Sequence, residues 1–152
     1  MSWTSVWIHM VFATKYRTPF LKDSIRKQVF LHMKANAEAK GIHLDVVNGY
    51  TEHAHCLISL NRDQTISNIA QLIKGESSFW INKKKLTTEN FMWQDDYWAV
   101  SVSERHIARV RQYILNQEEH HKKKTFKEES DKFVRKYGWP ALYQLPSTQV
   151  DG

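Results

Sequence analysis

The sequence predicts an α+β fold: an antiparallel sheet on the split βαβ plan, two helices on one face, and one further helix after the last strand. Three observations carry this reading. Apolar residues switch between a period of two and a period near 3.6, in the order strand, helix, strand, strand, helix, strand, helix. The two middle strands are separated only by the turn "GYTE", so they pair as a hairpin. The chain has 152 residues, 41% of them apolar, which favours one domain around one core.

Residues 5–13, "SVWIHMVFA", are β-branched and aromatic and read as a buried strand. The basic loop "KYRTP" closes it at Pro19. Asp23 is the expected N-cap of a helix over about 24–40, with Ile25, Val29, Met33 and Ala37 as its apolar stripe and Gly41 as its stop. Residues 42–48, "IHLDVVN", form the second strand and "HAHCLISL", 53–60, the third. Asp63 or Thr65 caps a helix over about 65–83, whose apolar positions are Ile66, Ile69, Ala70, Ile73, Trp80 and Ile81. Gly75 interrupts that pattern, either for a close approach to DNA or another backbone or as a tolerated weak point. "YWAVSV", 97–102, is the fourth strand, and Ser103 caps a helix over about 104–122. Past Lys124 the chain is charged and less periodic, with a short helix around 126–137 and a frayed tail at "STQVDG". The first six elements follow the ferredoxin-like order and the seventh is appended. The expected domain is a single unit over 1–152, with its core at about 5–124 and an extension over 125–152.

Composition excludes several classes. Cys56 is the only cysteine, so no intrachain disulfide framework exists, which fits a reducing cytoplasm. No signal peptide is apparent at "MSWTSVWIHM", and no apolar run approaches the roughly 20 residues of a membrane span. A net charge of +6 favours a polyanionic partner such as nucleic acid.

The chemistry begins at His53 and His55. On a strand, alternate residues share a face, so both imidazoles point the same way, about 7 Å apart. Neutral imidazoles bind metals. Two cannot complete a site, and Gln117, His120, Asp45 and Glu52 are the candidate third ligands. Cys56 faces the opposite side and is expected in the core. On the 104–122 helix, Tyr113 and Gln117 are one turn apart, with His106 and His120 close to the same face and the stripe Ile107, Val110 and Ile114 beside them.

The series "VFATKYRTPFL", "EHAHCLISL", "LIKGESSFWIN", "WQDDYWAVSVS" and "YILNQEEHHKKKTF", in that order, resembles the single-tyrosine HUH transposases of the insertion-sequence-200 type over roughly residues 5–130. The family signature, His-hydrophobic-His, is matched by His53-Ala54-His55. The family nucleophile is matched by Tyr113 and the third metal ligand by Gln117.

The resemblance implies metal-dependent cleavage and rejoining of single-stranded DNA at hairpin ends. The tyrosine hydroxyl attacks a phosphodiester, keeps a 5′-phosphotyrosine and releases a 3′-OH that can later rejoin strands. It implies Mg²⁺ or Mn²⁺; imidazole ligands suit Mn²⁺. A structural Zn²⁺ would want a fourth protein ligand, and the sequence shows none. The resemblance also implies a homodimer, with the tyrosine helix completing either its own or its partner's histidine site.

Lys15, Tyr16, Arg17, Lys83, Lys84, Arg105 and Arg109 are the candidate DNA contacts. Trp80, Trp93, Tyr97 and Trp98, with Tyr16, are the aromatics able to stack on bases. His106 and His120 are candidates for the base that activates Tyr113. The expected location is a bacterial or archaeal cytoplasm. The alternatives are a domesticated relative acting on chromosomal palindromes, a non-catalytic nucleic-acid-binding module, and a zinc hydrolase using His53, His55 and His120.

Overall fold

A computed structural model describes residues 2–122 and 125–137, so the basic pair Lys123–Lys124 and the expected frayed tail lie outside the described residues. Four strands, β1 (Val6–Ala13), β2 (His43–Gly49), β3 (His53–Leu60) and β4 (Trp98–Val102), form one sheet in the order β2-β3-β1-β4. Every neighbouring pair is antiparallel. This is the order the split βαβ plan requires, and the fold class is the expected one.

Helices α1 (Asp23–Ala39) and α2 (Ile66–Lys83) share one core with a single face of the sheet. Alternation decides which residues they meet: Ile8, Met10 and Phe12 of β1, and Ala54, Cys56 and Ile58 of β3. The other face carries His9, Val11 and Ala13 opposite Leu57, His55 and His53. Among the described residues, three α-helices follow β4: α3 (Ile107–Leu115), α4 (Gln117–His121) and α5 (Phe126–Tyr137). Buried Ile114, Gln117, Phe126 and Glu129 are their inward residues.

Several boundaries differ from expectation. Asp23 does not cap α1; it is the first helical residue, with its carboxylate on Arg26, and the capping position is Lys22. Of the two candidates for α2, Thr65 is the cap, its hydroxyl accepting from the Asn68 amide. Gly41 ends α1 at φ +77°, the left-handed conformation that favours glycine. A Cβ added at Gly75 would meet nothing within 4 Å, so no close approach within this chain accounts for that glycine. Gly49 is different: a Cβ there would collide with the backbone of His53, and the β2–β3 hairpin closes beside the site only because position 49 has none.

The largest departure is the helix expected over 104–122. It is a 3-10 turn at Glu104–His106, then α3, a break at Asn116, and α4. Ser103 makes no capping bond to the backbone. A side chain of β2 meets the broken end. The Asn48 side-chain amide donates to the carbonyls of Ile114 and Leu115, at 3.1 and 3.0 Å. A continuous helix would use those carbonyls for its own next turn.

Candidate active site

The hairpin turn and the β1–β3 register place His9, His53 and His55 on one face, and all three are buried. Nε2 of His53 lies 3.1 Å from Oε1 of Gln117, at the start of α4. Gln117 in turn donates its amide to the Tyr113 carbonyl at 3.3 Å, so the helix break does not part the two. The Tyr113 ring stands edge-on to His55 at 5.6 Å between centroids, to His9 at 6.2 Å and to His120 at 5.3 Å. Three contacts tie α3 and α4 to the rest of the fold, two to β2 and one to α1. Arg111 of α3 pairs with Asp45 at 2.8 Å, Arg26 reaches Glu118 of α4 at 3.0 Å, and Asn48 holds the end of α3. In the single chain, these contacts bring Tyr113 and Gln117 beside the chain's own histidines.

Sequence reasoning missed Glu129. This α5 residue is buried, and its Oε1 sits 3.3 Å from Nε2 of His55 and 3.6 Å from Nε2 of both His53 and His121. Its Oε2 accepts no hydrogen bond among the described residues, although Nε2 of His120 is 3.3 Å away. A carboxylate oxygen left so, inside a ring of imidazole nitrogens, has the makings of a cation site. His53, His55 and Glu129 form one group able to hold a metal, and His120, His121 and Glu129 another. A fourth protein ligand beyond His53, His55 and Gln117 is thus at hand, contrary to the sequence reading.

The electrostatics follow from burial. Burial, with the neighbouring charge on His55, pulls His9 down to about 3, against a smaller opposing pull from Glu129. His55 is held well below the usual imidazole range, by burial first and then by the charges of His53, His121 and His120. Burial pushes Glu129 up to about 7, opposed by His53 and His9. For Glu52 burial also pushes upward, but the hydrogen bond and charge of His53 outweigh it and the carboxyl sits below its ordinary value. Imidazoles kept neutral in this way retain the lone pairs a metal needs.

The remaining candidates divide. Asp45 is taken by Arg111, and Glu52 binds Nδ1 of His53 at 2.8 Å, the nitrogen turned away from Gln117. His106 is exposed and bonds Ser103, away from the cluster, whereas His120 lies beside Tyr113. Cys56 is on the apolar face, as expected, and burial pushes its thiol up to about 12.

Among the basic residues, Lys15–Arg17 form a turn directly after β1, tied to the site through the Thr14 amide on the Glu52 carbonyl. Tyr16 and Arg17 take positive φ there, a conformation seldom used by residues with side chains, and Tyr16 is exposed. The Arg17 guanidinium is 6.0 Å from the Phe126 ring, which itself stacks on His53 at 4.2 Å. Arg105, Arg109, Lys83 and Lys84 are exposed; the two lysines stand at the C-terminal end of α2, which packs on the other face of the sheet.

The aromatics proposed to stack on bases are mostly engaged. Trp93 is buried and donates to Ser77, Trp98 is buried, Trp80 stacks on His32 at 3.9 Å, and Tyr97 is half-buried under Lys74. Of these five, Tyr16 alone is largely exposed.

The sheet thus carries a histidine cluster on one face, with Tyr113 of a following helix beside it. Residues 2–117 match the family described as "Transposase IS200 like", and the chain belongs to that family. It is similar to the ISDra2 transposase TnpA of Deinococcus radiodurans, at 25% identity over 115 residues, covering 72% of this chain and 81% of the relative. Two solved structures share the fold. One is a crystal structure assigned to a transposase of Deinococcus radiodurans R1, with a TM-score of 0.62 and 23% identity over 76% of this chain and 93% of that one. The other is a REP-associated tyrosine transposase bound to a REP hairpin, with a TM-score of 0.53 and 17% identity over 81% of this chain and 74% of that one. The family match ends at Gln117, so α5 and Glu129 lie beyond it. No helix among the described residues is long and apolar enough to cross a membrane.

Proposed function

We propose that this transposase cleaves and rejoins single-stranded DNA at hairpin ends through a 5′-phosphotyrosine on Tyr113, with a divalent ion held by His53, His55 and Gln117. The observation that supports it most is the placing of the Tyr113 ring against His55 in the same buried cluster where His53 meets Gln117. Tyr113 supplies the attacking oxygen, and the 3′ oxygen leaves as the new strand end. His120, whose ring is beside that of Tyr113, is placed to take the phenol proton. When bound, the ion polarises a phosphoryl oxygen and offsets the charge that develops during displacement. Two imidazoles and an amide oxygen suit Mn²⁺ well and Mg²⁺ less well, and the Glu129 carboxylate adds a hard oxygen to the set.

His53, His55 and Gln117 have no exposed surface, covered by His121 of α4 and by Phe126 and Glu129 of α5, so part of this cover shifts for a phosphate to reach them. Lys15, Tyr16 and Arg17 are the DNA contacts nearest this cluster; Arg105, Arg109, Lys83 and Lys84 offer charge further out. The working unit is a homodimer in which each subunit carries its own tyrosine beside its own histidines.

The test is incubation with labelled hairpin DNA from the flanks of the gene, with Mn²⁺ or Mg²⁺, followed by a denaturing gel. The expected result is a covalent adduct that requires metal and is absent in Tyr113→Phe. DNA binding without an adduct under every metal would turn the reading to a non-catalytic DNA-binding protein.

A further inference from the structure

His9 comes from β1, one strand away from His55, and is almost fully buried. Its Nε2 lies 2.8 Å from Nδ1 of His55. Nε2 of His55, across the ring, faces Glu129 at 3.3 Å. An imidazole that gives its Nε2 lone pair to a metal carries its proton on Nδ1, and that proton needs an acceptor. For His53 the acceptor is the next residue in the chain, the Glu52 carboxylate at 2.8 Å. No such neighbour in sequence serves His55; its Nδ1 meets a residue 46 positions away.

We propose that His9 is a positioning residue for His55, a neutral imidazole whose Nε2 accepts the Nδ1 proton of His55, holds that ring in one tautomer and so aims its Nε2 at the ion. This rests on the metal-site reading above. Packing alone does not call for histidine at this place. The β1 residues beyond His9 on this face, Val11 and Ala13, which lie opposite the two histidines, are apolar, and a buried imidazole carries a desolvation cost that an apolar side chain would avoid. The bond to His55 offsets part of that cost. The two rings are also stacked, 5.0 Å apart at 28°, so the contact restrains the plane of His55 as well as its proton.

Three substitutions separate this role from simple packing. His9→Phe keeps a ring and removes the acceptor. His9→Gln puts a carbonyl oxygen where Nε2 stood, because the two side chains are equally long to that atom. His9→Asn is one atom shorter and places its polar group near the Nδ1 position instead. The readout is Mn²⁺ binding to the full chain by calorimetry without DNA, beside the thermal midpoint of each protein. His9→Phe and His9→Asn are expected to weaken Mn²⁺ binding about 10- to 100-fold, with His9→Gln restoring most of it.

Wild-type affinity in His9→Phe overturns the proposal, and so does equal weakening in all three variants, which is the mark of a packing effect. Where His9→Phe does not fold, the Gln and Asn pair decides by itself. A wild-type chain that binds no Mn²⁺ overturns the metal-site reading and this inference together, whereas Mn²⁺ binding that His9→Phe leaves unchanged overturns the inference alone.

Discussion

The two faces of the sheet are built from the same strands, one residue out of step, and only one of them carries a cluster of buried imidazoles. Met10, Phe12, Ala54, Cys56 and Ile58 lie in the apolar core with α1 and α2. His9, His53 and His55 lie on the other side with Gln117 and Glu129. Stability is concentrated on the first face and the candidate chemistry on the second. The comparison teaches that period-two alternation lets one strand serve both purposes, since Cys56 and His55 are neighbours in sequence with no shared surroundings.

Breaking one face at a time tests that division. On the histidine face, His55→Ala is expected to reduce adduct formation on hairpin DNA to background while the thermal midpoint moves by only a few degrees. On the apolar face, Phe12→Ala is expected to cost about 3–5 kcal/mol in urea unfolding, as for other buried phenylalanines. The folded fraction of that variant should still bind metal. Equal loss of stability in both variants would mean that the faces do not divide the work.

A pH series sharpens the comparison, because the buried titratable groups of the histidine face give it an acid-base signature. Glu129, raised from 4.5 to about 7, keeps its proton in the folded chain where the unfolded chain has released it. Folding therefore binds a proton across that window, and stability falls as pH rises from 4.5 towards 7. In the metal-free protein Glu129→Gln should gain stability over wild type progressively through the same window. His9, lowered from 6.5 to about 3, acts in the opposite sense: its contribution is lost as pH falls from 6.5 towards 3. Unfolding midpoints in denaturant at stepped pH would show both limbs; a Glu129→Gln difference independent of pH would contradict the first.

The smallest expected effect is at the joint between faces and helices. Asn48→Ala removes two hydrogen bonds to the end of α3, and a cost of about 1 kcal/mol is expected. Adduct formation should fall with it if the break at Asn116 sets the Tyr113 position, which parallel unfolding and cleavage measurements would show.

Much of the fold was legible because it is local. Strand alternation and the "GYTE" hairpin carry the sheet, and Thr65 and Gly41 mark helix ends through chemistry a sequence displays directly. His53 and His55 are two apart on one strand, and Tyr113 and Gln117 are four apart on either side of the break at Asn116, so both pairs could be matched to the family motif from sequence alone. What was hidden depends on contacts distant in sequence. His9 meets His55 only through the β1–β3 register, Glu129 reaches His55 across 74 positions, and Asn48 holds the end of a helix 66 positions away. The "FKEES" stretch shows acidic residues, but nothing in its spacing marks Glu129 as the one that turns inward.

The most direct measurement digests the covalent adduct with protease and nuclease and locates the retained nucleotide by mass spectrometry. A nucleotide joined through its 5′-phosphate to the peptide containing Tyr113, formed only with metal and only when His53 and His55 are present, is the expected result. Attachment at another tyrosine, such as Tyr16 or Tyr97, or an adduct that forms equally well without metal, would contradict the assignment of the histidine face as the centre of the chemistry.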